Sequence, residues 1–210
     1  MSANHSKSAL LYERVRHALQ SGHYIPGQRI SPRALAMEFG ASLTPTRLAL
    51  HRLVGAGLLE HHARGGMLVP LPSEAAMRDH YHWMESLLLL ACDIGASPFP
   101  LKPAGSLKAP SPGDDLDTLT WQLFDTIAAA TAHSLLHRAV RQSNDQLAPI
   151  RRAKQHLLDH RLEELSELIR YWHAQDYAAL KSGLHDYHER RRQLVPCIVA
   201  TLIERRNSLH

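Results

Sequence analysis

The segment from Ser31 to Leu50 constrains this chain more than any other. Ser31-Pro32 sets a capping hydroxyl ahead of a proline whose fixed φ suits a first helical position, so a helix begins there. Leu35, Ala36 and Phe39 form its apolar face, and Gly40 ends it. Thr44-Pro45 repeats the start signal. Leu48, Leu50, Leu53 and Val54 supply the packing positions of a second helix that closes at Gly55 or Gly57. The pair reads as helix, tight turn, helix, with Thr44, Thr46 and Arg47 in the first turn of the second helix. Hydroxyl and guanidinium groups at that place meet phosphates and base edges when a recognition helix enters a DNA major groove.

The flanks fit a compact head. Leu10, Leu11, Val15 and Leu19 recur at helical spacing over residues 8–21 and stop at Ser21-Gly22. Pro26-Gly27 turns the chain, and Arg29-Ile30 is long enough for a single bridging strand. Leu58 to His61 and Met67 to Val69 read as two short strands around Arg64-Gly65-Gly66, a hairpin or wing. Pro70 and Pro72 mark a boundary. Charge is placed accordingly. The net charge is +4, yet residues 1–72 hold 8 Lys+Arg against 3 Asp+Glu, while residues 73–210 hold 16 against 17. The positive balance sits in the part that would meet a polyanion.

With 210 residues, 44% hydrophobic and 21% charged, the chain can build a core in each of two domains. The expected division is a DNA-binding domain at 1–72 and an all-helical domain at 73–210. In the second part, Ser73 to about Gly95 reads as a helix with Met77, Tyr81, Met84, Leu87, Leu88 and Ala91 on one side. Residues 96–114 contain five prolines and few large apolar residues, a loop. Three helices are expected to follow: about Asp117 to Gln142, Pro149 to about Ala174, and about Tyr177 to Arg206 with a bend at Pro196. The fold class is therefore mainly α, a winged helix-turn-helix followed by a helical bundle. Cys92 and Cys197 form no CxxC, which points to a reducing cytoplasm rather than a disulfide scaffold or zinc ribbon. No charged-then-apolar leader opens the chain, and Leu87–Ala91 is too short to span a bilayer, so no membrane partner is expected.

Gly22 to Gly27, Leu35-Ala36, Phe39-Gly40, Thr44 to Arg47, Ala49-Leu50, Arg52-Leu53 and Gly57-Leu58, taken in order, resemble the winged helix-turn-helix of GntR-family transcription regulators. The resemblance implies DNA contacts residue by residue. Arg33 would touch a phosphate or a guanine. Ser42 and Thr44 would donate to phosphates beside the recognition-helix N-terminus, whose dipole favours anions. Thr46 and Arg47 lie in the first turn, where the arginine could pair with guanine O6 and N7. Arg64 and Gly65 would put the wing tip in the adjoining minor groove. Many relatives carry Arg where this chain has Leu43, which removes one base-reading donor.

The order of head, linker helix and helical body resembles the FadR-like (FCD) branch. That resemblance implies a cytoplasmic homodimer that represses transcription from a pseudo-palindromic double-stranded operator and senses a small molecule such as a carboxylate. Many of that branch hold a divalent metal through one Asp and three His. Here the corresponding positions are Trp121, Asp125, Leu165 and, with a one-residue shift, His188. Trp and Leu cannot ligate, so no metal cofactor is expected at that place. A rebuilt site would draw on the helix-spaced pairs His133/His137, His156/His160 and His185/His188 among the 16 histidines. Without metal, Asp125, His133, Tyr187 and His188 are the polar candidates to line an effector pocket. Arg190-Arg191-Arg192 and Asp79 to His82 read as solvated helix faces. The body shows no Gly-rich phosphate loop, nucleophile elbow or paired acid–base carboxylates, so an enzyme is not expected. The alternative function is a constitutive DNA binder or interaction module that has lost effector sensing.

Overall fold

A computed structural model describes residues 2–63, 65–95 and 107–208. The described residues fall into two compact units. One comprises Met1–Leu71 with Ala148–Ala153 and Ala200–His210, and the other Pro72–Leu147 with Lys154–Val199.

In the first unit the elements run α1 (Ser2–Gln20), β1 (Arg29–Ile30), α2 (Pro32–Glu38), α3 (Leu43–Gly55), β2 (Glu60–His61) and β3 (Met67–Leu68). The Ser31 side chain accepts from Ala34 N, and Pro32 opens α2, as the sequence signal requires. The second start signal is shifted. The N-cap of α3 is Ser42, not Thr44, and the Ser42 hydroxyl makes no capping bond. Leu11, Val15 and Leu19 of α1 are buried with Leu50 and Leu53 of α3, Ile30 of β1 and Met67 of β3. Leu10 and Leu48, expected at packing positions, face outward. The small antiparallel sheet has the order β1-β3-β2, with Arg29 opposite Leu68, Ile30 opposite Met67, and Glu60 and His61 opposite the same two residues. The bridging strand thus pairs with the second arm of the wing.

The second unit begins with α4 (Glu74–Gly95), whose buried side is Met77, Tyr81, Met84, Leu87, Leu88 and Ala91, joined by Glu85 and Cys92. Residues 96–106 of the Pro-rich loop lie outside the described residues. Five α-helices then stand where three were expected: α5 (Leu116–Ala130), α6 (Ser134–Ala153), α7 (Arg161–His173), α8 (Tyr177–Gln193) and α9 (Val195–Asn207). Two of the breaks are visible in the backbone itself. Ala132 and His160 both take left-handed backbone, at φ 55° and 57°, which an α-helix cannot continue through. Pro149 lies inside α6 rather than at a helix start. Pro196 occupies the first turn of α9, where no intrahelical N–H is needed, so it starts a helix instead of bending one.

Within this unit α4 packs on α8, and α7 packs on both α5 and α8. Gly183 allows the close approach of α7 and α8, because a Cβ there would lie 2.9 Å from Leu168 Cδ2. Among the described residues no helix is long and apolar enough to cross a membrane.

The two cysteines differ in environment. Cys92 is buried, and burial pushes its thiol up to about 12, while Cys197 is exposed. Only the thiolate is nucleophilic. Alkylation near pH 8 should therefore label Cys197 in the native protein and reach Cys92 only after denaturation. Mass spectrometry of peptides from native and unfolded samples checks this, and rapid native labelling of Cys92 would contradict the packing of α4.

Candidate nucleic-acid interface

Helix α3 divides its residues sharply between core and solvent. Pro45, Thr46, Ala49, Leu50 and Leu53 are buried. Leu43, Thr44, Arg47, Leu48 and His51 are exposed. Among the described residues neither Arg47 nor Arg33 has a hydrogen-bond or ion-pair partner, so both guanidinium groups project from the surface unspent. Ser42 and Thr44 are exposed at the same helix end, where the N–H groups of Leu43 and Thr44 have no intrahelical acceptor. A hydroxyl pair, a helix N-terminus and free arginines together suit a phosphodiester.

Thr46 must be taken out of this group. It is 0% exposed, and its hydroxyl donates to the Ser42 carbonyl at 2.8 Å. The residue locks the first turn of α3 rather than reaching toward a ligand.

The wing has a support that pattern reading missed. Arg29 Nε and Nη2 donate to the Gly65 carbonyl at 3.1 and 2.8 Å, so β1 fixes the wing tip. Gly65 and Gly66 hold φ of 81° and 85°, the left-handed region that favours glycine. Open space surrounds the Gly65 Cβ position, so a backbone or groove wall could approach closely. Arg64 lies outside the described residues. The signal for Arg29 was available in principle, since strand β1 alternates an exposed with a buried residue and its exposed member is cationic.

In the helical body the four expected effector residues do not form one group. Asp125 on α5 accepts from His137 Nε2 at 2.8 Å and pairs with Arg141 at 3.4 Å. His133 is exposed in the turn before α6, where its Nδ1 accepts from Leu136 N and caps that helix. It does not line the interior. Tyr187 and His188 are buried around Phe124, with His188 stacked on that ring and Tyr187 edge-on to it. His188 Nδ1 donates to the Leu184 carbonyl at 2.7 Å.

The basic run on α8 is not the solvated face its composition suggests. Arg191 is 3% exposed, with its guanidinium carbon 3.2 Å from the centre of the Tyr187 ring and its nitrogens on both carboxylate oxygens of Glu164 at 2.9 and 2.6 Å. Burial alone lowers its pKa, but Tyr187 and Glu164 more than offset that and hold it above its ordinary value. Arg192 pairs with Glu85 and Glu189, leaving Arg190 exposed. Nor is the 79–82 stretch simply solvated, because Tyr81 is buried against Lys154. Helical spacing did place Arg191 on the stripe Leu180, Leu184, Tyr187, His188, but its residue type argued the other way. Beside this cluster, α7 and α8 border a cleft of about 220 Å³ whose rim includes Glu163, Glu167 and Asp186. The acidic side chains there oppose a carboxylate, while Arg190 in the same lining would attract it.

Residues 7–69 match the family described as bacterial regulatory proteins, gntR family. Those residues are a GntR-family helix-turn-helix domain. Two solved structures share the fold over most of their length. Escherichia coli McbR/YncC is 18% identical with a TM-score of 0.66, covering 90% of this chain and 96% of its own. A GntR transcriptional regulator from Rhodococcus sp. RHA1 is 16% identical with a TM-score of 0.72, covering 90% and 97%. No curated protein matches the chain at a significant level. The matched description is one of regulatory proteins, and the match lies within the first unit.

The metal that the FadR-like resemblance implies does not fit this helical body. At the corresponding positions the Trp121 indole donates to Asp145 at 2.8 Å, Leu165 is a buried hydrocarbon, and Asp125 is committed to His137 and Arg141. A donor, an alkyl group and an occupied carboxylate cannot replace three ligands. Among the described residues no group of three or more His, Cys, Asp or Glu side chains could hold a metal ion.

Thr46 and Arg47 of α3 should separate cleanly in stability. Thr46→Val should cost about 1 kcal/mol through the lost buried hydrogen bond. Arg47→Ala should stay within about 0.5 kcal/mol, as expected of an unpartnered surface side chain. Urea denaturation of both variants measures this, and equal losses would mean that Arg47 belongs to the packing.

Proposed function

We propose that this GntR-family regulator acts as a cytoplasmic homodimer, binds a pseudo-palindromic operator in double-stranded DNA, and represses transcription until a small molecule binds its helical body. The observation that carries the reading is the exposed, unpartnered Arg47 beside Ser42 and Thr44 at the N-terminus of α3, with Arg33 also free. Arg33, Ser42 and Thr44 would contact phosphates, Arg47 a guanine edge, and the Arg64-Gly65 wing tip the minor groove. A two-fold dimer would set two such helices in successive major grooves about 34 Å apart. The body, residues 73–210, is assigned to the FadR-like branch on its order of linker helix and helical domain.

A second reading, a constitutive binder without effector sensing, draws on the engagement of Asp125, His133, Tyr187 and His188 within the protein itself. Thermal-shift measurements with carboxylate and amine libraries divide the two. A ligand that binds the folded state raises the midpoint, and none doing so favours the constitutive form.

Selection of bound sequences from random duplex DNA, followed by salt-titrated affinity, tests the operator reading. An inverted repeat should emerge, with log affinity falling linearly in log salt by about 0.9 per phosphate neutralised. Arg47→Ala should cost about 1–3 kcal/mol of operator affinity. Sequence-blind binding, or an unaffected Arg47→Ala, would overturn the assignment of α3.

A further inference from the structure

The solvent-facing side of α3 is not wholly polar. Successive residues advance about 100° around a helix, which orders the exposed arc as Leu43, Arg47, His51, Thr44, Leu48. Leu43 is 36% exposed and Leu48 48% exposed, so neither completes the core beneath. Leu43 is also the first residue of α3, at the helix end whose residues reach base edges in this class of reader.

We propose that Leu43 is a specificity-determining residue that reads the C5-methyl group of a thymine in the major groove. The inference rests on the DNA-binding reading above. Thymine alone among the four bases presents a methyl group on that edge, while the other bases offer hydrogen-bond donors and acceptors there. A leucine pressed on those polar groups would strip them of water and return nothing. Against a methyl group it buries hydrocarbon on both sides. The cationic head brings the duplex to this helix, and the free Arg47 guanidinium supplies the polar contact beside it. Leu43 and Arg47 stand four residues apart, neighbours on one face. One helical turn rises about 5.4 Å and one base pair about 3.4 Å. The thymine under Leu43 therefore lies one or two base pairs from the guanine read by Arg47.

The test uses the full-length protein and the duplex recovered by selection, synthesised with deoxyuridine in place of each thymidine in turn, which deletes the methyl group alone. One thymine per half-site, one or two base pairs from a guanine, should lose roughly three- to fivefold in affinity on substitution, the transfer value of one buried methyl group. Leu43→Ala should bind thymidine and deoxyuridine duplexes alike, with its salt-dependent binding to random DNA unchanged because the phosphate contacts remain. Leu43→Arg should shift the selected base at that position from thymine to guanine. A wild-type protein indifferent to every deoxyuridine, or a Leu43→Ala variant as sensitive as the wild type, would overturn the assignment while leaving the regulator reading intact. Failure to select any preferred sequence would instead overturn the regulator reading, and this inference with it.

Discussion

Packing of one face of α3 onto α1 decides what the other face can offer. Ala49, Leu50 and Leu53 are fully buried, and Val15 and Leu19 of α1 are buried with them. Each fully buried leucine contributes about 1.5–3 kcal/mol, so this seam outweighs any single surface interaction on the helix. Turning α3 by one residue, about 100°, would expose leucine and swing Arg47 toward the core. The apolar contact therefore sets the rotational register of the exposed face of α3. Thr46 shows the cost of that register, since it falls on the inner side and must satisfy its hydroxyl on the Ser42 carbonyl.

The same hierarchy operates at the wing. Its strands are only two residues long, too short to hold a geometry by themselves. Pairing of β3 with both β1 and β2 anchors them, and the Arg29 guanidinium ties the tip to the opposite strand. The arms are thus held from the core outward. A loop tethered this way loses less freedom on binding a partner than an untethered one.

The helical body uses charge inside as well as outside. Arg191 and Glu164 form a two-bonded ion pair capped by the Tyr187 ring, while Asp117 is shared between Gln155 and Arg161. Paired charges of this kind add little net stability over a hydrocarbon core, but each is costly to leave unpaired. They therefore penalise slippage of α7 against α8. Indole, leucine and an engaged carboxylate stand where the FadR-like resemblance would set metal ligands, and ion pairs and ring contacts occupy the described interior.

Much of the head was legible because its signals are local. A hydroxyl before a proline, a glycine after an apolar face, and glycines between short strands act through the backbone of neighbouring residues, so Ser31, Gly40 and the 65–66 wing could be read directly. The periodicity of α4 was equally readable, since a long amphipathic stripe has one way to face a core. What the sequence could not determine depends on partners far along the chain. Left-handed Ala132 and His160 break helices that propensity would continue, because nothing local forbids helix at those residues. Arg191 enters the core because Glu164, 27 residues away, waits there to neutralise it. The sequence by itself determined the mainly helical class, the helix-turn-helix of the head and where the positive charge lies. Only the tertiary structure decided where the helices of the body break and which polar side chains enter its core, because those choices depend on side chains brought together from distant positions.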